Sequence, residues 1–114
     1  MNIDIQIKPL TVNQAWKGRR FKTHKYQKYE LDLLFILPRS KKPFTDMLRI
    51  ELFFGFSNSG SDIDNPVKPI LDILQKKYGF NDKSIFELNI RKCIVDKGKE
   101  FVKIGIYPCL PFGY

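Results

Sequence analysis

The chain opens "MNIDIQIKPL", in which Ile3, Ile5 and Ile7 alternate with Asp4, Gln6 and Lys8. A period of two sends alternate side chains to opposite faces, so the pattern predicts a half-buried strand that Pro9 ends. Residues 10–21, "LTVNQAWKGRRF", carry no such period and predict a polar loop. Tyr26, Tyr29, Leu33 and Ile36 then recur at helical spacing with Leu37 beside them, Thr23 in place to cap and Pro38 closing the element. The run "LDLLFIL" would also suit a buried strand, but Ile36 is its one β-branched residue, which favours the helix.

Alternation returns in "MLRIELFFGF", with Leu48, Ile50, Leu52 and Phe54 on one face and Arg49 and Glu51 on the other. After the turn-forming "SNSG", a second helix is expected from Asn65, with Pro66 at its first position and Pro69 still in its first turn. Val67, Ile70, Leu71 and Leu74 form its apolar stripe, and Gly79 stops it. "SIFELNIRKCIV" and "EFVKIGIYP" read as two strands joined at "DKGK" by a hairpin turn around Gly98. The order β-α-β-α-β-β predicts one small α+β domain over residues 1–114, with two helices on a mixed sheet. The apolar tail "YPCLPFGY" is expected to cover the core or a second subunit.

Composition narrows the functional classes. Twenty Lys and Arg against twelve Asp and Glu give a formal charge of +8 in 114 residues, a field that draws polyanions. No stretch reaches the ~18–20 apolar residues that span a bilayer, and the N-terminus lacks the pattern of a signal peptide. Cys93 and Cys109, without a CxxC spacing or a histidine partner, make no zinc site and are expected to be reduced core thiols of a cytoplasmic protein. Nucleotide loops of the Walker or GxGxxG type and the GxSxG nucleophile turn do not occur.

Against that basic background, residues 59–82 hold Asp62, Asp64, Asp72 and Asp82 against three lysines, Lys68, Lys76 and Lys77. Asp62 and Asp64, two apart, share a face of an extended segment between a strand and a helix, where functional loops are common. Asp82 follows the helix. If the chain brings it back, three carboxylates converge, and such a group needs protons or a divalent cation. Mg²⁺, or Mn²⁺ in its place, takes hard oxygen ligands and assists phosphodiester hydrolysis. Lys68 stands near enough to add a positive charge at a developing oxyanion. The plainer alternative keeps the same residues as a helix cap (Asp62 or Asp64), an i,i+4 pair (Lys68 with Asp72) and a turn (Asp82). An EF-hand is excluded by Pro66 and Val67.

The segment "WKGRRFKTHKYQKY" interleaves Lys17, Arg19, Arg20, Lys22, Lys25 and Lys28 with aromatics. Cations neutralise phosphates, and Trp16 and Phe21 are free to stack on bases, whereas Tyr26 and Tyr29 belong to the core stripe. Cations also sit poorly at a helix N-terminus unless an anion offsets them. His24 reads as an exposed residue or a phosphate contact rather than a general base.

Together, "D-I-D-N-x-x-K-x-x-x-D" at Asp62, Asp64, Asn65, Lys68 and Asp72, then "G-F-N-D" at Gly79–Asp82, resemble the RusA family of Holliday junction resolvases. The opening "VNQAWKGRRFKTHKYQKYE" is similar to the basic N-terminal region of its phage members. The resemblance implies a RusA-like fold and a Mg²⁺-dependent homodimer that nicks opposing strands of a four-way DNA junction without a small-molecule cofactor. It implies that Asp62, Asp64 and Asp82 are metal-binding catalytic acids, Lys68 the catalytic-site lysine and Asp72 a supporting acid. DNA contacts would come from Asn13, Trp16, Lys17, Arg19, Arg20, Lys22, Lys25 and Lys28. The family often places two adjacent acids after its Gly-Phe; here the loop is shorter and Asn81 takes the first place. Two other readings compete: a non-catalytic binder of branched or single-stranded nucleic acid, and a broader nuclease of flaps and branched DNA.

Overall fold

The computed structural model describes residues 1–11, 16–17, 21–41, 43–44 and 47–109. Its elements are β1 (Asn2–Ile5), β2 (Trp16–Lys17), β3 (Phe21–Lys22), α1 (His24–Ile36), β4 (Leu48–Phe56), α2 (Val67–Tyr78), a 3₁₀ turn (Asp82–Ser84), β5 (Ile85–Ile94) and β6 (Phe101–Pro108). The main sheet has the order β1-β6-β4-β5. β4 and β5 pair in parallel through the α2 crossover, while β6 runs antiparallel between β1 and β4. β1, β4 and β5 therefore all point one way, and their carboxyl ends lie at one end of the molecule.

The alternation sorts the two faces as expected. Leu48, Ile50, Leu52 and Phe54 of β4 and Val102, Ile104 and Ile106 of β6 are buried in one cluster with Ile3 and Ile5. Tyr26, Tyr29 and Leu33 of α1 and Ile70, Ile73 and Leu74 of α2 join it, so both helices cover this face. On the other face Arg91 and Lys103 lie over Phe53 at 5.0 and 5.7 Å, and Arg49 lies over Tyr107 at 4.7 Å. Gly105 makes room there: a Cβ would come within 2.6 Å of the Tyr107 ring.

Several boundaries differ from the sequence reading. β1 ends at Ile5, where Ile7 N–H turns back to the Ile5 carbonyl at 3.1 Å. The polar loop contains a small hairpin, with Trp16 opposite Lys22 and Lys17 opposite Phe21. Thr23 caps α1 by accepting from the Tyr26 N–H at 3.1 Å. Ile36, placed on the buried stripe, is 50% exposed, because the chain leaves the helix at Leu37 and buries that residue instead. In α2, Pro66 is the cap residue and Ile73, absent from the expected stripe, is fully buried. Gly79 ends α2 at φ 75°, a left-handed conformation that glycine adopts without a Cβ clash. Cys93 and Cys109 form no disulfide with each other and are only half-buried, not core. Residues 110–114, most of the apolar tail, lie outside the described residues.

Candidate metal and DNA-binding site

The loop after β4 carries Asp62 and Asp64 at the carboxyl ends of the parallel strands, where open α/β sheets hold their ligands. Two turn hydrogen bonds shape it: Asn65 N–H to the Asp62 carbonyl and Val67 N–H to the Asp64 carbonyl, both 3.2 Å. Pro66, at the helix cap position, makes no side-chain cap bond, so neither aspartate caps α2. Both side chains are exposed, and among the described residues neither has an ion-pair partner within 4.0 Å. Two free, hard-oxygen carboxylates two residues apart fit a small divalent cation held by one or two carboxylates and completed by water and phosphate oxygens.

The loop is pinned from outside. Ser57 donates its hydroxyl to Glu100 at 2.7 Å, and Glu100 also accepts from Gly98 N–H at 2.8 Å. The Ser57 hydroxyl, first, then the backbone N–H groups of Glu100 itself and Gly98 hold the Glu100 carboxyl below its ordinary range. Lys92 of β5 donates its ammonium to the Ser61 carbonyl, next to Asp62. Sequence reasoning passed over Lys92. Its signal was a cation in the helix-side row Leu88, Ile90, Lys92, Ile94, opposite Ile50, Leu52, Phe54 and Phe56 in the parallel register.

Lys68, on the first turn of α2, gives its ammonium to Asp72 at 3.1 Å, with 61% of its own side chain exposed. The i,i+4 pair is present as the plainer reading held, and an ion pair so exposed is weak.

Asp82 does not join Asp62 and Asp64 within one chain. It starts the 3₁₀ turn before β5, its N–H donates to the Gln75 side chain at 3.0 Å, and Asn81 caps that turn by accepting from Lys83 N–H at 3.0 Å. The register pairs Leu48 with Ile85 at the amino end and Phe56 with Ile94 at the carboxyl end. Asp82 and the Asp62–Asp64 loop are thus on the order of 25 Å apart, the length of β4 at ~3.3 Å per residue. Among the described residues no three His, Cys, Asp or Glu side chains gather to hold a metal. The physical reason is topological: a crossover helix returns the chain to the far end of the sheet before a parallel strand can start.

The basic segment leads into α1, which runs beside α2 in the same direction: Lys76 meets Glu30 and the Tyr78 hydroxyl donates to the Pro38 carbonyl, so the start of α1 lies toward the acid-pair end. Lys22 reaches Glu30 at 3.2 Å and lies over the Tyr26 ring at 4.9 Å; Lys28 meets Asp32 at 3.0 Å; Lys25 is exposed. Glu30 also takes Lys76 of α2 at 3.0 Å. Asn13, Arg19 and Arg20 fall outside the described residues, as do the side chains of Trp16, Lys17 and Phe21.

A family model described as Endodeoxyribonuclease RusA matches residues 6–105 of the 114-residue chain. The chain belongs to the RusA family. No curated protein matches it. The RusA match covers the acid-pair loop, both helices, β2 to β5 and the first five residues of β6, so the chain is of the endodeoxyribonuclease class, which hydrolyses phosphodiester bonds within DNA. No helix among the described residues is long and apolar enough to cross a membrane.

Proposed function

We propose that this protein is a Mg²⁺-dependent endonuclease that resolves four-way DNA junctions, with Asp62 and Asp64 as metal-binding acids and Lys68 beside them. The observation that carries the reading is an exposed carboxylate pair, without an ion-pair partner among the described residues, at the carboxyl ends of the parallel strands of a RusA-family chain of net charge +8. Mg²⁺, with Mn²⁺ as its substitute, supplies charge neutralisation at the scissile phosphate and a more acidic water when bound. The protein's own part is electrostatic and positional. Lys22, Lys25 and Lys28 of the described basic segment draw the phosphates in. Asp62 and Asp64 orient the reacting end, and Lys68, exchanging Asp72 for a phosphate oxygen, meets the charge that develops there. The setting is the cytoplasm, where DNA recombination and repair produce such junctions.

The position of Asp82 makes a homodimer part of this reading. β5 is an edge strand of the sheet, and it exposes Phe86, Leu88 and Ile94; an exposed apolar edge is a template for pairing. Antiparallel pairing of two β5 strands with Asn89 on the two-fold axis sets Glu87 against Arg91 twice and Leu88 against Ile90 twice. Those two matches are of opposite charge and apolar, respectively, while Phe86 faces Lys92 and Asn89 faces its own copy. The same register carries Asp82 of each copy to the carboxyl end of the other copy's β5, where Asp62 and Asp64 lie. The dimer thereby offers two three-carboxylate sites related by a two-fold axis, as symmetric cutting of a two-fold junction requires.

The test is nicking of a synthetic four-way junction by wild type and Asp64→Asn with and without Mg²⁺. Wild type is expected to nick only with the metal, and Asp64→Asn to bind without nicking. Full activity of Asp64→Asn, or binding by wild type with no metal-dependent product, overturns the reading.

A further inference from the structure

Resting on the reading of Asp62 and Asp64 as metal-binding acids, the geometry points to Lys92 as a positioning residue that shapes their loop for the cation.

Lys92 occupies an unusual place. The register puts it on the helix-side face of β5, between half-buried Ile90 and exposed Ile94 and opposite buried Phe54. An ammonium on that face of an edge strand would ordinarily be turned out to water or would serve to discourage edge pairing. Here it ends on the Ser61 carbonyl, one residue before Asp62, and it is partly buried there. A charge-assisted bond to a neutral carbonyl has little value as an ion pair, but it fixes the direction of the peptide that leads into Asp62.

The loop has few other restraints between its ends. Its first residue is held by Glu100 through Ser57, and its last turn by the Asp62–Asn65 and Asp64–Val67 backbone bonds. Between them, Gly60 N–H binds only the Asn58 side chain, within the loop itself. Lys92 is the one described tie between the middle of the loop and the sheet. Without it, Asp62 and Asp64 keep their spacing but not their aim. The ammonium also offsets part of the repulsion between two carboxylates before a cation arrives. Both effects act on the affinity for the metal, not on the chemistry of the bound state.

The experiment compares Lys92→Met, Lys92→Gln and Lys92→Arg with wild type. Mn²⁺ binding by electron paramagnetic resonance, on protein without DNA, is expected to weaken about tenfold in the two neutral variants and to be restored by Lys92→Arg, the range typical of lost outer-shell partners. Amide exchange over residues 58–64 should quicken in metal-free Lys92→Gln and Lys92→Met, while that of the α2 core stays slow. The Mg²⁺ concentration for half-maximal nicking should rise by a similar factor, with rates at saturating Mg²⁺ within about threefold of wild type. Unchanged Mn²⁺ affinity in both neutral variants overturns the assignment, as does an equal loss in Lys92→Arg. If wild type binds Mn²⁺, Asp64→Asn does not, and no junction is cut, the proposed function fails while the role of Lys92 still stands on the binding and exchange data.

Discussion

The two ends of α2 carry the same kind of residue in different company. At its amino end Asp62 and Asp64 are exposed, lack ion-pair partners among the described residues, and sit on a loop tied to β5 and to the β5–β6 turn. At its carboxyl end Asp82 is exposed as well, but its backbone is bound to Gln75 and its neighbours form a capped turn. Carboxylates close in sequence are therefore about 25 Å apart in space. The difference shows that Asp82, if it reaches the pair, must come from another copy of the chain.

The sharpest way to break that comparison uses both ends at once. Asp64→Asn and Asp82→Asn are each expected to lower junction nicking by about a thousandfold, or ~4 kcal/mol of barrier. Mixed and reassociated, the two inactive proteins should regain activity, because each mixed dimer keeps one site with all three acids intact. Random mixing returns about a quarter of the wild-type sites. A site built within one chain predicts no recovery at all, so a flat result in the mixing assay removes the shared site.

Between the two ends lies a spacer whose stability is separate from its chemistry. Leu74 is fully buried under the sheet. Leu74→Ala is expected to cost roughly 3 kcal/mol in urea unfolding, from lost burial plus a cavity. Asp62→Asn and Asp82→Asn, on exposed ground, should move stability by no more than ~0.5 kcal/mol. Equal destabilisation by all three would mean that the acids are structural.

The proposed contact between copies is smaller per residue. Glu87→Lys sets two like-charge pairs across the two-fold axis and should weaken the dimer about tenfold, ~1.4 kcal/mol by sedimentation equilibrium. Arg91→Glu should do the same, and the double exchange should restore association. If the double variant is as weak as the singles, β5 does not pair in this register.

Much of this was legible beforehand because it depends on local periodicity. Period two in Leu48–Phe54 and helical spacing in Tyr26–Leu33 each demand one buried face, and a slip by one residue would expose every core side chain. The Thr23 cap and the Gly79 stop were legible for the same reason: one residue's chemistry suffices. The site was half legible. Asp62, Asp64 and Lys68 lie within seven residues, so their neighbourhood follows from the chain itself. The separation of Asp82 depends on the direction in which a crossover helix runs, and the tie from Lys92 to Ser61 spans 31 residues. Neither has a local signal, although a lysine in an apolar row was a hint. The hairpin at Trp16–Lys22 was hidden because two-residue strands are too short to show alternation.

The smallest effect concerns the staple that holds α1 against the last turn of α2. The Glu30 side chain is only 14% exposed and accepts from Lys76 at 3.0 Å and Lys22 at 3.2 Å. Burial alone would raise its pKa, but the two ammonium groups outweigh it and hold the carboxyl below its ordinary value. A folded pKa lower than the unfolded one means that Glu30 stabilises the fold fully above the unfolded value of ~4.3, and that this contribution fades as pH falls through the folded pKa. Glu30→Gln should therefore cost about 1 kcal/mol at neutral pH. Thermal melts of wild type and Glu30→Gln at a series of pH values should show that gap closing on acidification below about pH 4.3. A gap that persists unchanged at low pH would assign the effect to packing around the side chain and not to its charge.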